Sequence, residues 1–261
     1  MTLLAVQGLG KSFGGVAAAC DVSFEVGRGE LVALIGPNGA GKSTTFNMVG
    51  GQLAPDTGSV LLDSGDITGK PPRIIWRLGV GRTFQIAQTF VSMTVAENVQ
   101  MALQSAAKST FNVWRSARGV LRDEAIELLA AVGIADAADS IVSTLAYGDV
   151  KRVELAIALV GAPKLLLMDE PTAGMARAER TALMVLTGKL ARERGLGVLF
   201  TEHDMDAVFG FATRVLVLVR GEIIARGSPP EVQADARVKS LYLGTLGARV
   251  AAEAGRTRGA S

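Results

Sequence analysis

Short, unbroken apolar runs punctuate the chain: LLAV at residues 3–6, LVALI at 31–35, SVLL at 59–62, LLLM at 165–168, VLF at 198–200 and RVLVLV at 214–219. Runs of this length without polar alternation are strands buried on both faces, the pattern of a parallel sheet covered by helices. LLAV and the partly polar DVSFEV at 21–26 predict instead an antiparallel β portion at the N-terminal end. Between about residues 86 and 147 the strand-like runs stop, and TVAENVQMALQ and RDEAIELLAAVG space their apolar residues at helical intervals. The expectation is an α/β fold with a mainly parallel core sheet over 1–85 and 148–243, interrupted by a helical lobe at 86–147. The end, 244–261, is basic and rich in small residues and reads as a frayed tail.

Composition narrows the class. A chain of 261 residues with 49% apolar content has ample material for a core. Its mean hydropathy of +0.33 is high for a soluble protein, yet the longest runs fall well short of the ~18 residues a membrane helix needs. No N-terminal segment joins a basic start, an apolar middle and a small-residue cleavage site, so the expected place is the cytoplasm, with room for a docking surface. The single Cys20 rules out an internal disulfide and a cysteine metal site, and is expected in the core. A net charge of +2 gives no argument for nucleic acid.

The sharpest chemical signal is GPNGAGKS at 36–43, a full match to G-x-x-x-x-G-K-[ST] between the strand LVALI and the helix-compatible TTFNMV. Its glycines let several N–H groups converge on phosphate oxygens at a helix N-terminus. Lys42 can reach the terminal phosphates and Ser43 can bind Mg²⁺, so the chain is expected to bind ATP or GTP. LLLMDE at 165–170 ends a strand in two acids, at the sheet edge where α/β proteins bind ligands. Asp169 is placed to hold Mg²⁺ and Glu170 to polarise an attacking water. Gln85, beyond the strand-like LGVGRTF, is a neutral ligand able to touch Mg²⁺. His203, the only histidine, lies past the strand VLF, where it can meet a γ-phosphate.

GPNGAGKST, RTFQ, LAYGD, LLLMDEPTAG and TEHD, in this order, resemble the ATP-binding subunits of ABC transporters over nearly the whole chain, to about residue 243. The resemblance implies a P-loop NTPase fold, ATP and Mg²⁺ as ligands, and ATP hydrolysis coupled to transport. It implies that Phe13 stacks on adenine, and that Gly36, Pro37, Asn38, Gly39, Ala40, Gly41, Lys42, Ser43 and Thr44 form the phosphate loop. Gln85 couples the Mg²⁺ site to the membrane subunits, Asp169 holds magnesium, Glu170 is the general base and His203 the switch histidine. Leu145, Ala146, Tyr147, Gly148 and Asp149 form the signature loop that faces a nucleotide bound by another subunit. The phrases KSFGG, RTFQIAQTFVSMTVAENV and GSPPEVQADARVKSLYLG resemble the ATPases of branched-chain amino-acid uptake. ATPases for urea, amides, aromatic acids and lipopolysaccharide export share that ground, and a soluble non-transport ABC ATPase stands further off. The implied partners are two membrane permeases, a second ATPase subunit and, indirectly, a solute-binding protein, at the cytoplasmic face of the inner membrane.

Two departures fall on the face turned to that second subunit. The signature ends in Asp149 where the family has glutamine, and Ala146 replaces a residue that often carries a hydroxyl. Ala176 replaces the Asp or Asn that usually follows DEPTAGM. An acid at a helix N-terminus is locally favourable, but beside a nucleotide it repels. Together they suggest unlike ATPase partners, with this chain serving its partner's site poorly.

Overall fold

The computed structural model describes residues 2–83, 89–106 and 117–241, which leaves the expected tail and Gln85 outside the described residues. The chain opens with β1 (Thr2–Phe13) and β2 (Val16–Gly27), then β3 (Leu31–Ile35), α1 (Lys42–Val49), β4 (Thr57–Leu62), β5 (Gly65–Asp66), α2 (Pro72–Arg77) and β6 (Val80–Thr83). Next come the helices α3 (Val95–Ala106), α4 (Ala117–Ala131) and α5 (Tyr147–Ala158). The chain then runs through β7 (Leu165–Asp169), α6 (Arg177–Arg194), β8 (Gly197–Thr201), α7 (Met205–Phe211), β9 (Arg214–Val219), β10 (Glu222–Gly227) and α8 (Pro229–Ala234). Among the described residues no helix is long and apolar enough to cross a membrane.

The strands form two sheets. The core sheet has the order β10-β9-β3-β8-β7-β6, parallel except for the antiparallel edge strand β10. The second, in the order β2-β1-β4-β5, is antiparallel throughout. The antiparallel N-terminal portion is therefore present, but each of its first two strands is 12 residues long, well beyond LLAV and DVSFEV. SVLL, expected among the strands of the parallel sheet, pairs antiparallel with β1. Cys20 is half-buried on β2, not in the core.

Alternation along the core strands explains their all-apolar composition. Leu31, Ala33, Ile35, Leu166 and Met168 join one buried cluster with Val95, Val99, Leu129, Val153 and Leu183, so this face of the sheet packs under the helices. Val32, Leu34, Leu165, Leu167 and Leu199 join the other cluster with Leu4, Val6, Val22, Phe24 and Phe46, under the antiparallel sheet and α1. A strand sandwiched this way has no face for polar residues. The helical segment adds its own stripe: Val95, Ala96, Val99 and Leu103 of α3 are buried. Thr94 and Glu97 close a reciprocal cap at its start, with N–H to side-chain distances of 2.8 and 3.2 Å.

Candidate nucleotide site

Because β3, β6, β7 and β8 run in parallel, Ile35, Thr83, Asp169 and Thr201 all finish along one edge of the core sheet. β8 lies between β3 and β7, so the strand carrying His203 separates the phosphate-loop strand from the acid strand. Nothing in the sequence announced that order.

From Ile35 the chain turns through Gly36 to Gly41 into α1. Gly41 caps the helix with φ of 100°, and a Cβ there would run into the carbonyl of Ala18 on β2. A side chain at Gly36 would meet the Leu218 carbonyl on β9. Glycine is needed at both because the loop is pressed between two strands. The tip of the β9–β10 hairpin completes the clamp: Gly221 N–H donates to Ala40 O at 2.8 Å, while Gly221 O accepts from Cys20 N–H at 2.8 Å.

Lys42 folds back over this loop, its ammonium donating to Gly36 O at 2.7 Å and Pro37 O at 3.1 Å. Burial lowers its pKa from the ordinary 10.5, an effect opposed by the carboxylates of Glu170 and Asp169. A desolvated cation held by two neutral carbonyls, at a helix N-terminus, suits an anion that brings several oxygens. Ser43 is exposed and Thr44 half-buried in the first turn of α1. A cavity of about 440 Å³ opens against the loop, lined by Pro37, Asn38, Gly39, Ala40, Val219, Arg220 and Leu241. Phe13 ends β1 with half its surface exposed, its ring 5.8 Å from the Lys11 ammonium.

The two acids are held unequally. Asp169 accepts from the Thr201 hydroxyl through Oδ1 at 2.7 Å, and its Oδ2 lies 3.7 Å from Arg82. Glu170 has left-handed backbone, φ 46°, and its carboxylate sits 2.7 Å from His203 Nε2. Base candidate and switch histidine are thus already paired. Arg82, on β6, also donates to Gln52 at 2.6 Å and Asn47 at 2.9 Å and lies 5.0 Å over the Phe46 ring. Burial lowers its pKa, opposed by Asp169. Sequence reasoning missed Arg82, Thr201 and Glu202. Only their places at strand ends beside motif residues could have flagged them.

Magnesium fits the donors at this edge. Ser43 offers an exposed hydroxyl, and Asp169 keeps Oδ2 clear of the Thr201 bond, with Arg82 3.7 Å from it. Among the described residues no three His, Cys, Asp or Glu side chains converge on a metal position.

LAYGD does not form a loop tip. Leu145 and Ala146 are extended, but Tyr147, Gly148 and Asp149 are the first three residues of α5. Lys151 and Arg152 therefore lie beyond the first turn. Asp149 is 3.9 Å from Arg152, one turn along the same helix. Lys151 is buried, bonded to buried Glu154 at 3.0 Å and 5.8 Å from the Tyr147 ring. No side chain caps the helix, since Ala146 at the cap has no acceptor. Ala176 caps α6 in the same deficient way, and only the return bond is made, from its N–H to Glu179 at 3.2 Å. The Glu179 carboxylate also lies against Gly148, bringing the start of α6 and the start of α5 together.

Fold and site together define a nucleotide-binding cassette. The profile of the ABC transporter family matches residues 19–173, and the chain belongs to that family; it binds nucleotide and hydrolyses ATP in support of transport. The high-affinity branched-chain amino acid transport ATP-binding protein LivG of Salmonella typhimurium is 38% identical over 249 residues, 93% of this chain and 98% of that protein. The lipopolysaccharide export system ATP-binding protein LptB of Haemophilus influenzae is 37% identical over 244 residues, 94% of this chain and 98% of its own length. A nucleotide-free ATP-binding cassette from an ABC transporter superposes with a TM-score of 0.82 at 31% identity, covering 93% of this chain and 99% of that one. The ADP conformation of an ATP-binding cassette gives 0.82 at 30% identity, covering 94% and 99%.

Proposed function

We propose that this chain is the ATP-hydrolysing subunit that powers uptake of branched-chain amino acids or a related small polar solute. The observation that carries the chemistry is the Glu170–His203 pair, 2.7 Å apart on the same sheet edge as the phosphate loop. The solute class rests on the LivG likeness, which spans 98% of that protein. The LptB likeness supports lipopolysaccharide export as a second reading.

In this reading Phe13 stacks on adenine, and Gly36 to Thr44 wrap the phosphates. Lys42 exchanges its two loop carbonyls for phosphate oxygens. Ser43, Asp169 and Gln85 would hold magnesium, which would supply positive charge against the phosphates. Glu170 orients and deprotonates the attacking water, while His203 steadies Glu170 and meets the γ-phosphate. Residues 1–85 and 148–243 form the catalytic body and 86–147 the lobe that meets the membrane subunits. Exposed Phe90, Val91 and Ile141 support that role. They cluster because 91–94 runs beside 141–143, with Ser143 N–H on Val91 O at 3.0 Å and a Thr94–Ile141 bridge. Two permeases at the cytoplasmic face of the inner membrane are the partners this surface suits. Residues 145–149 reach across to a second ATPase subunit, which we take to be a different chain.

Glu170→Gln keeps the side chain's size and removes the base. The expected result is full ATP binding with turnover reduced at least ~100-fold, the lower range for losing a general base. Turnover near wild type would remove Glu170 from this role. Uptake of labelled leucine, against lipopolysaccharide release, in the assembled transporter separates the two solute readings.

A further inference from the structure

The acids at the end of β7 cannot take up their working positions by continuing the strand. Successive strand residues point to opposite faces, which would send Asp169 and Glu170 apart. The left-handed turn at Glu170, φ 46°, breaks the alternation. For a residue with a Cβ that conformation is unfavourable and persists only where the surroundings hold it.

We infer that Thr201 is the positioning residue that holds both acids, through one hydroxyl. The inference rests on the reading of Glu170 as the base. Thr201 ends β8, is 2% exposed and lies opposite Asp169 in the sheet register. Its hydroxyl proton goes to Asp169 Oδ1 at 2.7 Å, and its oxygen accepts the Glu170 N–H at 3.0 Å. That N–H is also 3.2 Å from the Thr201 carbonyl, so the backbone turn has a second support. The donated bond fixes the rotation of the Asp169 carboxylate, and the accepted one fixes the turn that aims Glu170 at His203.

The next two residues extend the same frame. Glu202, 3% exposed, accepts from the Thr172 N–H at 2.9 Å and the Thr172 hydroxyl at 2.6 Å. His203 then reaches Glu170. Three consecutive residues, 201 to 203, thus grip 169 to 172, and the Thr201 hydroxyl is bonded to both acid residues at once. Packing needs only a β-branched side chain at this place. The hydroxyl is an addition to what the strand requires.

The test is Thr201→Val against Thr201→Ser, with Glu170→Gln alongside, measuring kcat, KM for ATP, melting temperature and equilibrium binding of a fluorescent ATP analogue in EDTA. Thr201→Val is expected to lower kcat by roughly 10- to 100-fold, the scale of a misplaced catalytic group. Nucleotide affinity without metal should stay within about twofold, since the phosphate loop is untouched. Thr201→Ser should recover most of the rate. Wild-type kcat in Thr201→Val, with Glu170→Gln inactive, would overturn the positioning role and leave the base assignment standing. Equal loss in both Thr201 variants, or loss of binding and melting cooperativity with rate, would assign the residue to packing and overturn it too. Turnover in Glu170→Gln would instead overturn the base assignment.

Discussion

A buried carboxylate is tolerable only when its oxygens are satisfied, and Glu202 meets that condition with three donors. Thr172 contributes both a backbone and a side-chain donor to it, and His203 N–H adds a third at 3.1 Å. Thr172→Val removes only the hydroxyl, leaving the acid short of one donor. The expected cost is ~1–3 kcal/mol, read as a lower urea midpoint with an unchanged m-value. Nucleotide binding should survive, because the phosphate loop is held elsewhere, by Ala18, Leu218 and Gly221. At this scale the sequence was generous where chemistry is written as motif: Lys42, Asp169, Glu170 and His203 were all picked out, and all stand on one edge. It was silent on Thr201, Glu202 and Arg82. Their roles come from which strands are neighbours, and no spacing along the chain encodes that β8 lies between β3 and β7.

Helix α5 poses the same question one level up. It starts at Tyr147 without a side-chain cap, and its first-turn acid, Asp149, leans toward Arg152 at 3.9 Å. The acid is well placed for the helix and poorly placed for a phosphate approaching its end. Ala146→Ser supplies the missing acceptor and should stabilise the protein by ~1 kcal/mol, raising the melting temperature by about 2–4 °C in a chain this long. If melting is unchanged, the cap is already satisfied by solvent. Element boundaries were where sequence reasoning erred most. LLAV and DVSFEV are fragments of 12-residue strands, because paired antiparallel strands with one exposed face accept polar residues that look like loop. SVLL looks as apolar as a core strand, yet its antiparallel partner is β1. Asp149 passed for loop because glycine beside it masks a helix start.

Across the whole molecule the acid-sensitive contacts are exposed carboxylates bonded to nearby donors. Asp56, bonded by Lys11 and Ser12, Asp63, bonded by Lys164 and Arg28, and Asp66, bonded by Thr68, all have pKa values below the ordinary 3.8. Asp235 falls to about 2 through Arg237, and Glu231 drops below its ordinary 4.5 through Ser228. A carboxyl whose folded pKa lies below its unfolded one binds fewer protons when folded. Its contribution is complete above the unfolded value and lost as pH falls through the folded one. Urea midpoints should therefore be flat from about pH 7 to about pH 5 and fall below about pH 4. Asp56→Asn should make that fall shallower. A midpoint rising on acidification would contradict the assignment.

The last consequence belongs to the assembly. If two ATPase subunits meet head to tail, each nucleotide lies between the phosphate loop of one and the signature segment of the other. This chain's own loop, acids and histidine are complete among the described residues. What it would contribute to the other site is the segment with Asp149 and the uncapped Ala146, and Ala176, whose N–H binds the Glu179 carboxylate that lies against Gly148. In that arrangement the Asp149 carboxylate, only loosely paired with Arg152 at 3.9 Å, would disfavour the partner's phosphates and leave this chain's own phosphates untouched. The two sites of the assembled transporter should then be unequal. Lys42→Ala should reduce solute uptake on the order of 100-fold, as expected for loss of a charge that stabilises transferring phosphate. The equivalent lysine change in the partner should be much milder. Asp149→Gln in this chain should raise ATP affinity at the partner's site and leave affinity at its own unchanged. Equal losses from the two lysine changes would mean that both sites carry the cycle, and Asp149 would then be only the first-turn acid of a well-built helix.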